Sequence, residues 1–474
     1  MTAIFITILV LTLLFGIVLH KVFQVNPSKS KVIPGLKASL DGSGNLDEIG
    51  KAGSLHEFLL ELHKKFGNIA GFWIGTSYIV SISTPDLFKE HQNVFDRPPQ
   101  LFQLFEPLIG SKSIQYANGD DGRYRRKYLD RCMSFQAMHL YLTEFHQVAL
   151  EVSQCFAKSE QISHPICSYM ANFALKAGLL TMFGDVQDDQ RVSTFYEDYQ
   201  ILWSEMENRL TGSMPKSGSK REINFKKALE NCQQFVKDVV TRRKASRQCE
   251  ESFKDQKLID VLMDISPDDE TLLSDAITYV VGGFHTTANS LAWCIYYLST
   301  NIDVQKKLQS EIDEKTITDN IFNPLVVSNM PYLQQVFNET LRCSVLAPWA
   351  ARFQDKPTTL GGFQIPEETP VIHALGVSLQ NPEYWPNPDV FDPTRFSVEN
   401  TKSRPKLCFQ PFGFAGKRIC PGYRFAFFEA AVCLIVILQR FTLSLDNCTG
   451  DIQRVYGLVT HPSSEVMVRI KKRC

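Results

Sequence analysis

The residues best placed to do chemistry gather in one loop, Pro411-Phe412-Gly413-Phe414-Ala415-Gly416-Lys417-Arg418-Ile419-Cys420-Pro421-Gly422, which runs straight into the apolar stretch Tyr423–Leu438. Gly413, Gly416 and Gly422 let such a loop pass close to a flat ligand, where a Cβ would collide. Cys420 stands where the loop meets the start of a helix. Exposed backbone N–H groups and the helix dipole there favour the thiolate, the form that ligates metals. Arg418, two residues earlier, can pair with a carboxylate on the same ligand. A buried cysteine capping a core helix is the plain alternative, and this loop alone does not decide between them.

Two more constellations bear on the question. Leu272–Leu298 reads as one long helix interrupted by Gly282-Gly283. Each mid-helix glycine costs about 1 kcal/mol relative to alanine, so the pair asks for a reason. Thr286 follows Gly282 by four residues, and its hydroxyl can bond that carbonyl and open the helix locally. Glu339 and Arg342 stand at i,i+3, on one helix face, where they can pair. Such pairs are also common surface decoration.

Taken together these segments resemble the cytochrome P450 superfamily. Gly416-Lys417-Arg418-Ile419-Cys420-Pro421-Gly422 is similar to its haem-ligand loop, F-x-x-G-x-R-x-C-x-G. The resemblance implies a haem b whose iron takes the Cys420 thiolate as axial ligand, pushing electron density to favour O–O cleavage. It places Phe412, Gly416, Gly422 and Arg418 around the cofactor. Phe412 lies eight residues before Cys420 where the family has seven, so one extra residue must be absorbed between Phe412 and Gly416. Glu339-Thr340-Leu341-Arg342 resembles the family's E-x-x-R, a buried pair joined there by the arginine of a P-x-R-F segment. Pro393-Thr394-Arg395-Phe396 fits that segment, and the resemblance makes Glu339, Arg342 and Arg395 a structural network.

Gly282-Gly283-Phe284-His285-Thr286-Thr287 is similar to the family's (A/G)-G-x-(D/E)-T-T. That gives Thr286 a role in oxygen handling and proton delivery. His285 stands where the family has an acid: a histidine near neutral pKa can shuttle protons, or it can turn away from the pocket, and both readings stay open. Arg352, ten residues after Arg342, matches the family's propionate arginine. Arg126 fits the arginine of a W-x-x-x-R element, with Gly122 at the tryptophan position. By the same likeness Leu101–Tyr116 and Val345–Trp349 lie over the haem; both are rich in apolar residues, which favours a lipophilic substrate. His285 and the lengthened cysteine loop look most like the vertebrate cytochrome P450 family 20, subfamily A.

The elements that must position these residues can be read along the chain. Gly71–Ser83 reads as a hairpin turning at Gly75-Thr76-Ser77, and Thr84-Pro85-Asp86 as a helix start. From Leu140 to about Thr316 the pattern is almost all helical, broken once at Gly212–Lys220. Leu360–Ala374 and Leu443 to the end return to strand-like alternation. The expected fold is mainly α (α+β), a helix-rich unit with small sheets, with no linker inside 47–474.

The chain has 474 residues, 50 Lys+Arg against 51 Asp+Glu, a net charge of -1 and 44% hydrophobic residues. These are values of a folded globular protein, and the balanced charge offers nucleic acid no attractive field. Its 12 cysteines are scattered, unlike a disulfide scaffold. Thr2–Leu19 carries no charge, and at about 1.5 Å per residue it spans roughly 27 Å, enough to cross a bilayer core. Neither the basic start nor the small-residue cleavage site of a signal peptide is present. Lys21, Lys29, Lys31 and Lys37 precede the first acid, Asp41, which places the remainder in the cytosol. The expected organisation is a transmembrane anchor at 1–21, a neck at 22–46 and a haem domain at 47–474.

The resemblance then implies a monooxygenase of the endoplasmic reticulum membrane. No nicotinamide or flavin motif occurs, so electrons come from a partner, NADPH-cytochrome P450 reductase or cytochrome b5. A haem-thiolate isomerase needing no external electrons and a non-catalytic haem-binding sensor are the rival readings.

Overall fold

The computed structural model describes residues 32–158, 162–185, 188–210, 212–249, 256–316, 323–413, 416 and 418–473. The expected anchor at 1–21 and the first part of the neck lie outside the described residues.

The hairpin forms as β1 (Ile69–Ile74) and β2 (Ser77–Ile82), antiparallel with Ile69 opposite Ile82. Gly75 turns it with φ +57°, a left-handed conformation that glycine takes without a Cβ penalty. Helix α1 spans Gly119–Cys132, α2 Ile166–Gly178, α3 Asp189–Leu210, α4 Lys220–Cys249, α5 Asp269–Thr300 and α6 Pro331–Ser344. After α6 come β3 (Ala350–Arg352) and β4 (Val371–His373), and then α7 (Tyr423–Arg440). The break between α3 and α4 falls in the expected Gly212–Lys220 stretch. Short strands also occur in both regions expected to alternate.

The main sheet has the order β1-β2-β4-β3. β2 runs parallel to β4, and β3 antiparallel, with Arg352 opposite Val371. Strand alternation sends Phe72, Ile79 and Ile372 to an apolar cluster on one face and Val80, Ile82 and Val371 to a cluster on the other. The largest core surrounds α5 and α7. Helix α7 is apolar almost all round, with Phe428 to Leu438 buried throughout, the pattern of a helix enclosed in a core rather than lying on it.

Helix α5 starts on Asp268, whose carboxylate accepts the Thr271 N–H at 2.8 Å, and it runs for 32 residues. The expected interruption at Gly282-Gly283 does not occur; the helix passes through both. A Cβ on Gly283 would come 2.7 Å from the Met182 methyl, delivered by a π-helical turn, Leu179–Phe183, that continues α2. A Cβ on Gly282 would meet nothing within 4 Å, because that face opens on a cavity. The two glycines thus answer to opposite sides of one helix.

Among the described residues one helix, Ile166–Phe183, has the length and hydropathy to cross a membrane, but 67% of it is packed inside the protein. It belongs to the core.

Candidate functional site

A cavity of about 350 Å³ lies between α5, the Cys420 loop, α1 and the end of β3. Cys420 opens onto it. The loop is held by Cys420 N–H donating to the Phe412 carbonyl at 3.0 Å, which closes the segment into a ring. Gly413 and Gly416 take φ +81° and +119°, and a Cβ on Gly416 would lie 2.7 Å from the Gln92 carbonyl oxygen. The two glycines in left-handed backbone flank the stretch where the sequence carries its extra residue; residues 414, 415 and 417 lie outside the described residues. Phe412, Gly413 and Gly422 line the cavity; Gly416 instead packs its backbone against Gln92.

Gly422 caps α7 without a side chain, so the first N–H groups of that helix remain available. Burial pushes the Cys420 thiol up; the Gly422 N–H, Arg126 and Arg97 pull it down. The Gly422 N–H at the helix start favours the thiolate as expected, but desolvation outweighs it, and a bound metal cation would supply the compensation.

Arginines gather beside the Cys420 loop and form a rim of the cavity. Arg126, Arg352 and Arg418 are buried, Arg97 is half-buried, and all four line the cavity. Arg418 donates to the carbonyls of Ala117 at 2.7 Å and Ile114 at 3.0 Å. Arg352 donates to those of Ala351 at 2.6 Å and Arg418 at 3.2 Å. Arg126 binds Asp130 at 2.6 Å and the Ile419 carbonyl at 2.7 Å. Burial, then repulsion from Arg97, Arg126 and Arg352, pulls Arg418 down to about 8. Burial, then Arg126, lowers Arg97 to about 10, and burial, then Arg97 and Arg126, pulls Arg352 well below its ordinary value.

Arg97 was not singled out in the sequence. It is pinned by reciprocal bonds of 2.9 Å between its backbone and the Asn118 side chain, and it donates to Gln115. Its signal was a charged pair, Asp96-Arg97, fixed in place by Pro98-Pro99.

The third wall is α5. Thr286 donates to the Gly282 carbonyl at 3.1 Å, the expected bond, and faces the cavity. His285 does not line it. Successive helical residues point about 100° apart, so with Thr286 on the cavity face His285 turns to α3. Its ring packs 4.2 Å from Trp203 and 5.2 Å from Tyr199, its Nδ1 has no hydrogen-bond partner, and burial lowers it to about 3. This corrects the shuttle reading: His285 is a neutral core residue, and Thr286 is the one member of the pair at the site. Phe102 and Trp349, from the two segments expected over the haem, stack with centroids 5.7 Å apart and roof the cavity.

Glu339, Arg342 and Arg395 meet behind this wall. Arg342 grips Glu339 with two bonds, 2.7 and 2.8 Å, and Arg395 Nε lies 3.3 Å from the same carboxylate. Both partners of the first pair are fully buried. Cys343, which also bonds Arg342 and was not anticipated, completes the group. None of these residues lines the cavity.

The rim fits a flat ligand carrying carboxylates. Among the described residues Asp130 is the only carboxylate bonded to any of the four arginines, and the buried Nε atoms of Arg352 and Arg418 have no partner. So many clustered guanidiniums in a dry rim need anionic partners. With the Cys420 sulfur lining the same cavity, this is the donor set that a haem with two propionates asks for.

Comparison with known proteins points the same way. The sequence model of the cytochrome P450 family matches residues 34–468. Cytochrome P450 20A1 of Mus musculus is 32% identical over 445 residues, and that of Homo sapiens 31% over 450, each with 93% of this chain and 93% of the relative covered. Cytochrome P450 3A17 of Cavia porcellus is 26% identical, over 93% of this chain and 91% of its own. A crystal structure of the cytochrome P450DA heme domain superposes with a TM-score of 0.80 at 19% identity, covering 93% of this chain and 98% of that one.

Proposed function

The chain belongs to the cytochrome P450 family, whose cofactor is a haem with a cysteine thiolate on the iron, and from that premise we propose that it is a haem-thiolate monooxygenase acting on a lipophilic small molecule. The observation that carries this reading is the juxtaposition of Cys420, Thr286 and the arginine rim around one cavity. Bound there, the haem supplies dioxygen activation, with one oxygen atom going to the substrate and the other to water.

The chain's own residues divide the remaining work. Cys420 offers its sulfur from a loop closed by its own N–H, with the Gly422 N–H steadying the negative charge. Arg97, Arg126, Arg352 and Arg418 bind and orient the two carboxylates of the cofactor. Thr286 holds its hydroxyl proton on the Gly282 carbonyl, from where it can pass to an oxygen atom in the cavity and be replaced. Phe102, Trp349 and Leu346 wall the space over the cofactor and exclude water from it.

Electrons reach the site from a separate flavoprotein reductase, since the chain carries no nicotinamide or flavin motif. The uncharged run Thr2–Leu19 and the lysines after it support a single-pass anchor in the endoplasmic reticulum membrane, with the haem domain in the cytosol.

The test is the absorption spectrum of the reduced, carbon-monoxide-bound protein, whose band position reports a thiolate opposite the gas. Cys420→Ala is expected to abolish that band, and an unchanged spectrum overturns the ligand assignment. NADPH oxidation in the presence of reductase and a lipophilic substrate is expected to yield an oxygenated product. Conversion of substrate without NADPH, or no conversion at all, points to an isomerase or a sensor instead.

A further inference from the structure

The cavity wall formed by α5 carries five hydroxyl groups. Four have partners: Thr278 donates to Ser274 at 2.7 Å, Thr286 to Gly282 and Thr287 to Gly283 at 3.1 Å each, and Ser290 to Thr287 at 2.8 Å. The fifth, on Tyr279, has none among the described residues, although Tyr279 is only 8% exposed. A buried hydroxyl left unpaired costs about 1–3 kcal/mol, so one kept at a ligand cavity points to a ligand that completes it.

The surroundings say what kind of ligand. The charged groups that act on the Tyr279 hydroxyl are Arg126 and Asp130 of α1 and Asp275 of α5, and Arg97 feels it across the rim. Neither carboxylate accepts from it, and both are engaged elsewhere. Asp275 is taken by Arg125 at 2.9 Å and by the Ile114 N–H at 2.6 Å, and Asp130 by Arg126 at 2.6 Å. Burial holds the phenol protonated, so it acts as a donor.

The facing side of α1 has no side chain to offer one turn before Arg126. A Cβ on Gly122 would lie 2.3 Å from the Ala117 carbonyl oxygen and 2.9 Å from Arg418 Nη1, so nothing larger than glycine fits there. What α1 lacks at this point, α5 provides from the other side.

We propose that the Tyr279 hydroxyl is a further cofactor-binding group, donating a hydrogen bond to the haem propionate held by Arg126 and Arg97. The inference rests on the haem reading of the cavity. It gives this chain a neutral donor beside the arginines, supplied by the same helix that carries Thr286.

The test compares Tyr279→Phe with Tyr199→Phe in the full-length holoprotein. Tyr199 also has a buried, unpartnered hydroxyl, but it does not line the cavity. Haem transfer to excess apomyoglobin is expected to be roughly ten-fold faster from Tyr279→Phe, the loss of one charge-assisted bond, and unchanged from Tyr199→Phe. The iron midpoint potential is expected to fall in Tyr279→Phe alone, because a propionate without its donor carries more negative charge and favours the ferric state. Should the phenylalanine variant fail to fold, Tyr279→Met fills the space with a flexible apolar chain and carries the same expectations. Transfer rates and potential equal to the parent's, or an equal acceleration in both variants, overturn the proposal while the Soret band of the parent keeps the haem reading intact. A parent that binds no haem overturns both.

Discussion

Two groups of arginines sit within the same fold, and they differ in what balances them. Behind α5, Arg342 and Arg395 share the Glu339 carboxylate, which also accepts the Asp392 N–H at 2.9 Å, and the carbonyls of Leu379, Val390 and Asn387 take further guanidinium hydrogens. At the cavity rim, Arg97, Arg352 and Arg418 have only carbonyl or amide partners, and each is pushed down by burial and by neighbouring arginines, Arg97 by Arg126, Arg352 by Arg97 and Arg126, and Arg418 by Arg97, Arg126 and Arg352. In the first group both arginines share one buried carboxylate, although Arg395 Nε makes no hydrogen bond; Arg97, Arg352 and Arg418 bond to no carboxylate among the described residues. That difference supports an architectural role for the first group and an anion-binding role for the second.

Breaking the closed group is expected to have the largest effect. Glu339→Gln leaves Arg342 and Arg395 facing each other without their buried carboxylate, which costs roughly 3–5 kcal/mol and shows as loss of folded protein in denaturant titration. In the open group the consequence is the reverse. Arg352→Leu removes a source of repulsion, so the folded chain survives, but haem transfer to apomyoglobin is expected to accelerate at least about ten-fold as a charge-assisted bond is lost. If Arg352→Leu instead matched Glu339→Gln in lost stability, the distinction between the two groups would collapse.

His285 supplies a third, smaller effect, seen only in acid. The unfolded chain takes up a proton on this ring below about pH 6.5, whereas the folded one resists until about 3. Stability is therefore lost as pH falls through that window, by about 1.4 kcal/mol per unit for this group. His285→Phe is expected to flatten the acid limb by that slope and to leave turnover at neutral pH unchanged. Loss of turnover there would return His285 to the site. The smallest effect belongs to Gly283→Ala: its methyl displaces only the flexible end of Met182, and the roughly 1 kcal/mol that alanine gains in a helix offsets that shift, so thermal stability is expected to stay within about 1 kcal/mol of the parent's.

Much of the site was legible because its parts are local. The spacing of Gly282 and Thr286 dictated their hydrogen bond, Glu339 and Arg342 had to share a helix face, and the glycines of the Cys420 loop announced a place of close approach, with Gly413 and Gly422 lining the cavity and Gly416 against the Gln92 carbonyl. The same spacings misled at the glycine pair, where a break in α5 was expected. Main-chain hydrogen bonding carried the helix through, and the glycines proved to answer to a methionine on one side and a cavity on the other. Arg97 and Tyr279 escaped notice because neither lies in a recurring pattern; each matters only through what stands opposite it.

By itself the chain of residues determined which side chains lie within a turn of one another, and hence the cysteine loop, the Thr286–Gly282 hydrogen bond and the glutamate–arginine pair. Only the tertiary structure decided which face of α5 meets the cavity. That choice depends on Trp203 and Tyr199 of α3, some eighty residues upstream, enclosing His285. Burial and charge balance are properties of neighbours in space, and no local spacing encodes them.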